Sequence, residues 1–304
     1  MLASPWPEPF DDPRWAFELK WDGVRCILAT EGGVRLTSRA GNDMTARYPE
    51  IAGVDLPPGI VLDGEIVAFD AHGNPSFELL QSRMNTNPAA APPVPVTYVV
   101  FDLLRDGVAL LDAPLEERGE WLSRISLPPS FVVGDRFAGN SGPIWRFVLD
   151  RDLEGILAKR FGSRYAPGSR SPDWRKIGNF KQVRAVVGGF TAGTGGRSAT
   201  FGSLLLGLVD GDRLRWIGAV GSGFDDRSLR MVHGALEQMA TAESPFHPDQ
   251  ELPVGSTWVE PLLVAMVRFK QWTVSGRLRA PSFKGFTDDP VNVVTWRSEG
   301  PEPK

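Results

Sequence analysis

Short apolar runs bounded by glycine and aspartate turns recur along this chain, and they limit it to a sheet-rich architecture. Ile60 to Phe69 is a β-rich run that ends at the turn Asp70-Ala71-His72-Gly73-Asn74. Val96 to Leu104 is a second buried strand, and Gly155 to Lys159 and Trp174 to Ile177 are two more. Phe77 to Met84, Leu115 to Ile125 and Ile144 to Asp152 have helical spacing, while residues 86–95 and the basic stretch Arg164 to Pro172 read as loops. After Lys181 the texture changes. Short strands with glycine turns (Ala185 to Phe190, Leu204 to Val209, Leu214 to Gly218, Trp258 to Glu260, Leu263 to Phe269) accompany one helix, Asp225 to Met239, with acids at its start. That pattern suits a small barrel such as an OB-fold. The expectation is an α+β chain of two domains, residues 1–183 with antiparallel sheets and residues 184–304 as the barrel.

Charge narrows the function classes. The net charge of -4 argues against a uniformly basic nucleic-acid coat. Yet Lys159 to Arg184 holds eight basic residues and one acid, Asp173, and Met266 to Gly285 holds five basic residues and no acid. Basic stripes on an acidic protein can be a phosphate footprint. No apolar run approaches the roughly 20 residues of a membrane span, and the Pro-rich, acidic Met1 to Asp12 is no signal peptide. A single cysteine, Cys26, forms neither an internal disulfide nor a thiolate cluster, which implies a reducing, cytoplasmic setting. His72, His233 and His247 lack metal-ligand spacing and are read as structural or surface residues. The glycines of residues 188–196 lack the G-x-x-x-x-G-K-[ST] pattern and are read as a turn or loop.

One stretch, Glu18-Leu19-Lys20-Trp21-Asp22-Gly23-Val24-Arg25, combines strand and turn chemistry with a rare residue, for the chain has seven lysines against 26 arginines. Alone, it reads as a β-hairpin whose Asp22-Gly23 supplies the turn. The lysine adds a second reading. At the mouth of an apolar hairpin, with Arg25 and Arg39 as nearby cations, an amine can lose its charge and become a nucleophile.

Further motifs follow that stretch in order: Ser38-Arg39-Ala40-Gly41, Asp63-Gly64-Glu65, Tyr98 to Asp102, Glu154 to Arg160, and Arg170 to Lys176. Beyond them come Val187 to Phe190, Phe201 to Gly207, Val220 to Phe224 and Arg277 to Gly285. The series, headed by K-x-D-G-x-R at Lys20 to Arg25, resembles the covalent nucleotidyltransferases and specifically the ATP-dependent DNA ligases. In pattern it is most similar to the small bacterial ligase C and the ligase module of end-joining ligase D, over nearly the whole chain. The resemblance implies an adenylation domain and an OB-fold. Lys20 attacks the α-phosphate of ATP and holds AMP, then AMP passes to the 5′-phosphate of a nick, and the 3′-hydroxyl displaces it. It implies nucleotide contacts from Glu18, Leu19, Arg25, Arg39, Glu65, Phe101 (stacked on adenine), Lys159, Arg170 and Lys176. Glu65 and Glu154 fall where the family binds metal, and hard carboxylate oxygens beside phosphates suit Mg²⁺ or Mn²⁺. Trp174 is read as core. Arg277, Arg279 and Lys284 are the expected DNA contacts.

Two positions depart from the family's pattern. Lys176-Ile177-Gly178 lacks the second lysine of K-x-K, and Thr287-Asp288-Asp289-Pro290 stands where the family has R-x-D-K, which orients the pyrophosphate leaving group. The expected substrate is nicked double-stranded DNA in a repair setting, with repair proteins as possible partners, no membrane, and a monomer gripping the nick with its two domains. An RNA ligase, a capping-type nucleotidyltransferase and a nucleic-acid-binding protein with weak turnover are the alternatives.

Overall fold

A computed structural model describes residues 1–85 and 94–301. The loop expected at 86–95 therefore falls largely outside the described residues. The chain divides into two compact units, Met1–Asn179 and Phe180–Lys304.

In the first unit, two sheets are built from β1 (Leu2–Pro5), β2 (Trp15–Leu19), β3 (Val24–Ala29), β4 (Arg35–Ser38), β5 (Ile60–Val67), β6 (Thr97–Asp106), β7 (Val108–Ala109), β8 (Phe131–Val133), β9 (Phe137–Ala138), β10 (Gly155–Arg160) and β11 (Arg170–Gly178). One sheet has the order β1-β11-β10-β2-β9, the other β4-β3-β5-β6-β7, with β8 added to β6. Pairing is antiparallel except for β1 with β11 and β6 with β8. Helices α1 (Pro49–Ala52), α2 (Phe77–Asn85), α3 (Leu115–Ser123) and α4 (Gly142–Asp150) accompany these sheets. Leu28, Leu36, Leu62, Ile66, Tyr98 and Leu103 centre the core of the second sheet, and Phe17, Ile144, Val148, Ile156 and Ile177 that of the first.

The hairpin expected at Asp22-Gly23 does not form. β2 pairs with β10 and β9, whereas β3 pairs with β4 and β5. The segment from Lys20 to Gly23 is a crossing between the two sheets. Period-two alternation identifies a strand but not its partner, so two successive strands split between sheets look like a hairpin in sequence. Gly23 is needed at the crossing because a Cβ there would collide with the Ile66 carbonyl. A second difference concerns the loop expected from Arg164 to Pro172. β11 already begins at Arg170, because β1 pairs with it in parallel, Leu2 with Arg170 and Ala3 with Ser171. Pro172 falls where that register shifts, the place in a ladder where a residue without an N–H is tolerated.

The second unit holds β12 (Lys181–Ala192), β13 (Phe201–Asp210), β14 (Arg213–Val220), α5 (Asp226–Gln238), β15 (Ala240–Thr241), β16 (Ser256–Val259), β17 (Val264–Phe269), β18 (Ser282–Thr287) and α6 (Trp296–Glu299). The long β12 is shared: its first half pairs with β17 and its second half with β16, while β13 runs along its other edge. β14 follows β13 and β18 follows β17. Bonds from Leu278 N–H to Ile217 O (2.8 Å) and from Phe283 N–H to Ser222 O (2.9 Å) return the β18 side to β14, outside the ladder. Asp225 caps α5 by accepting from Ser228 N–H, while the Ser228 hydroxyl reaches back to Asp225. Among the described residues no helix is long and apolar enough to cross a membrane.

Candidate active site

A pocket of about 200 Å³ opens in the first unit, lined by Leu2, Ala3, Lys20, Trp21, Arg25, Arg39, Glu65, Phe101, Leu157, Arg170, Trp174 and Lys176. Seven of the sequence-predicted residues meet there: Lys20, Arg25, Arg39, Glu65, Phe101, Arg170 and Lys176. They come from both sheets, so the crossing at Lys20 to Gly23 is what assembles the pocket.

Lys20 is fixed from below by its backbone, whose N–H donates to Gly155 O at 2.9 Å. Gly155 has φ 141° and its Cβ would strike the Ile177 carbonyl, so only glycine lets β10 and β11 close this tightly. That approach brings the neighbouring Glu154 carboxylate to 2.5 Å from Lys20 Nζ. The sequence suggested cations as the nearest charges to this amine. The structure instead places a carboxylate against it, with Arg25 and Arg39 elsewhere on the pocket wall.

Glu65 lines the same pocket as Lys20. Burial pushes its carboxyl up to about 8; Lys20 and Arg25 oppose that shift, and Glu154 and Asp63 add to it. A divalent cation held by Glu65 and Glu154 would offset the cost of burying that charge. Among the described residues no three His, Cys, Asp or Glu side chains group as a metal cage. Two carboxylates fit an ion that completes its shell with water and phosphate oxygens, as Mg²⁺ does. Burial followed by repulsion from Lys20, Arg170 and Arg39 depresses the Lys176 amine on the same pocket wall. This is the charge-dense end of the pocket.

The other end is apolar. The Phe101 ring stands edge-on to Trp174, centroids 6.2 Å apart, and both lie in a small core with Met1, Leu104 and Tyr165. Trp174 is therefore core, as its pattern indicated, and pocket wall as well. Its Nε1 has no hydrogen-bond partner among the described residues. Leu2 and Ala3 reach the pocket through the β1–β11 pairing, and Arg170 Nη1 donates to Ala3 O at 2.5 Å.

Three expected nucleotide contacts, Glu18, Leu19 and Lys159, do not line the pocket. Lys159 is fully buried behind it, with Nζ 2.6 Å from Glu18 and 3.2 Å from Phe101 O. Glu18 also accepts from Arg136 Nε at 2.9 Å. Lys159 occupies an inward position on β10, and a lysine buried that fully must be paired. Leu19 packs against the core of the first sheet. Sequence reasoning also missed Arg136 and Tyr165, and gave Asp63 no role beyond its place in the Asp63-Gly64-Glu65 motif. Asp63 carried a signal, an acid inside an otherwise apolar strand, which implies a buried partner.

The expected DNA contacts lie in the second unit. Lys284 is exposed on β18. Arg277 is half-buried, its guanidinium 3.9 Å above the Trp216 ring. Arg279 follows in the same hairpin, its N–H donating to Gln271 O at 3.0 Å. At the degenerate motif, Asp289 accepts from Arg184 Nη1 at 2.9 Å, and the same guanidinium is held by Glu299.

Comparison with known proteins identifies the family. The model of the ATP dependent DNA ligase domain matches residues 1–178, and that of the ATP dependent DNA ligase C terminal region matches residues 197–290. The multifunctional non-homologous end joining DNA repair protein LigD of Mycobacterium tuberculosis is 40% identical over 292 residues, covering 92% of this chain and 37% of that protein. The chain thus spans little more than a third of such a relative. The crystal structure of the ligase domain from M. tuberculosis LigD is 36% identical with a TM-score of 0.54, covering 97% of this chain and 96% of that one. A mycobacterial DNA ligase D complexed with ATP and MES is 35% identical with a TM-score of 0.55, again covering 97% and 96%.

Proposed function

The chain belongs to the ATP-dependent DNA ligases, and from that membership we propose that Lys20 carries AMP and that the enzyme seals 5′-phosphate/3′-hydroxyl nicks in double-stranded DNA. The observation that carries the assignment is the meeting of Lys20, Glu65 and Glu154 with Arg39, Arg170 and Lys176 in one pocket that ends on Phe101. The lysine amine sheds its proton and attacks the α-phosphorus, the bond to the β-phosphate oxygen breaks, and pyrophosphate leaves. Arg39, Arg170 and Lys176 set positive charge where negative charge develops. Phe101 and Leu157 give the base an apolar slot. Glu65 and Glu154 would hold Mg²⁺ or Mn²⁺, which beside phosphate neutralises part of the developing charge. Lys159 and Glu18 support the wall behind Phe101.

In this reading residues 1–179 form the adenylation domain and residues 180–304 an OB-type domain. Arg277, Arg279 and Lys284 contact DNA phosphates, and affinity falls steeply with salt as counterions are released. Likeness to end-joining proteins supports a role in repair of broken DNA; a cytoplasmic monomer working with other repair proteins completes the proposal. The decisive experiment is the intact mass of the purified protein after incubation with ATP and Mg²⁺. One added AMP, absent in Lys20→Ala, is the expected result. An unchanged wild-type mass, or AMP on the mutant, refutes the assignment.

A further inference from the structure

Arg25 is the pocket cation whose surroundings are most fully specified. Its Nε and Nη2 bond fork-to-fork with Asp63 Oδ1 and Oδ2 at 3.0 and 2.6 Å. Nη2 also donates to the Tyr165 hydroxyl oxygen at 3.2 Å. That hydroxyl donates in turn to Asp63 Oδ2 at 2.7 Å. Arginine, carboxylate and phenol therefore close a three-membered ring of hydrogen bonds, drawn from β3, β5 and the loop before β11. Asp63 is fully buried and Tyr165 nearly so, whereas the Arg25 side chain is 20% exposed and lines the pocket. The ring has an inner side closed off from solvent and an outer side that faces the nucleotide site. Burial, and then the Asp63 charge, push the Tyr165 phenol far above its usual range, so the hydroxyl stays a donor.

A guanidinium on a flexible stem loses rotamer freedom when it binds a ligand. A fork held on two sides by a buried carboxylate has lost that freedom beforehand, and its remaining edge is preset. The Tyr165 ring packs edge-on against Trp174, with centroids 5.8 Å apart, so ring and hydroxyl have separable tasks.

We propose that the Tyr165 hydroxyl is a positioning group for the nucleotide site: through Asp63 it fixes the Arg25 guanidinium in the orientation that receives the sugar–phosphate part of ATP. This rests on the assignment of the pocket to ATP. Tyr165 touches no nucleotide itself and acts only through Arg25.

The test is a double-mutant cycle on the full chain. Single-turnover adenylylation is followed with radiolabelled ATP over a concentration series, giving a half-saturating ATP concentration and a maximal rate. Tyr165→Phe keeps the ring and removes only the hydroxyl. Losing one such hydrogen bond next to a charge is expected to raise half-saturation about tenfold, while the maximal rate stays within about twofold, since the bond positions a binding group. In an Arg25→Gln background, which keeps a donor for Asp63, the same change is expected to have an effect below about twofold. The thermal midpoint of each variant is measured alongside, with Arg25→Lys as a second background if Arg25→Gln does not fold.

Non-additive effects on half-saturation support the inference. Equal effects of Tyr165→Phe in both backgrounds, or a fall in maximal rate with unchanged half-saturation, overturn it while leaving the ATP site standing. A wild-type enzyme that takes no AMP overturns the ATP assignment and this inference together.

Discussion

Two ion pairs in the first unit have opposite surroundings. Arg118 and Asp102 meet bidentately at 2.7 and 2.8 Å, both side chains essentially without exposure, and Arg118 donates further to Ala113 O and Ser163 O. Every strong polar group there is matched by protein. Lys20 and Glu154 meet at 2.5 Å with the lysine side chain 26% exposed, at the edge of a pocket that also holds Glu65 and four further cations. The first pair is complete within the fold. The second is one contact in a cluster whose other carboxyl, Glu65, is raised by burial, and the proposed nucleotide and cation would replace it. Burial alone does not mark a catalytic charge; an unfinished set of partners does.

The sharpest break between the pairs comes from removing each cation. Lys20→Ala is expected to abolish covalent AMP while the chain remains folded, and to retain sealing of a nick that already carries 5′-AMP. Mass spectrometry and a sealing assay on the adenylylated nick check both halves. If the protein melts like an Arg118 variant, the contrast is lost. Arg118→Ala strands Asp102 as a buried unpaired charge and is expected to cost about 3–5 kcal/mol of stability. Equilibrium denaturation measures that loss, and a cost near zero would show the Asp102 site to be wetter than its burial indicates.

A smaller effect tests the boundary between the two pairs, which runs between adjacent residues of β6. Phe101 faces the pocket and Asp102 faces Arg118. Phe101→Ala is expected to weaken ATP binding by about 1–3 kcal/mol, the range for base–aromatic stacking. Sealing of a pre-adenylylated nick should fall less. Equal losses in both reactions would make Phe101 a structural residue that happens to line the site.

These contrasts were only partly legible in the sequence. Strand runs with their turn residues identify most elements, because β-branched alternation and Asp-Gly turns are local signals. The residues of the Lys20 stretch, of Asp63-Gly64-Glu65 and of Glu154-Gly155 single out the charge cluster. Partners were not legible. Nothing local says that β2 and β3 separate into different sheets, or that Leu2 and Ala3 reach the pocket by pairing with a strand some 170 residues away. Lys159 looked like a phosphate cation because it lies where the family places one; its burial against Glu18 follows from the inward register of β10. Tyr165, in a segment read as a basic loop, carried no signal, since its hydroxyl matters only through Asp63 and Arg25.

The smallest effect concerns the degenerate motif in the second unit, where an ion pair of a third kind occurs. Thr287 and Pro290 supply no cation, and Asp289 faces Arg184, which Glu299 also holds. Both Arg184 and Asp289 are about a third exposed, so solvent screens the pair and its worth is small. A hydrogen bond from Thr287, followed by those from Arg184, holds the Asp289 carboxyl below the usual aspartate range. The sign follows from linkage. A carboxyl whose folded pKa is depressed adds stability that is present above its unfolded pKa and is lost as pH falls through its folded pKa. Asp289→Asn is therefore expected to lower the thermal midpoint slightly at neutral pH, and the difference from wild type is expected to shrink as pH falls below the ordinary aspartate range. If Asp289 serves only to tie β12 to the chain end, the adenylylation rate of Lys20 is unchanged in this variant at neutral pH. A faster rate in Asp289→Asn would instead mean that its charge acts against pyrophosphate departure. Melting curves across pH and single-turnover charging rates separate the two outcomes.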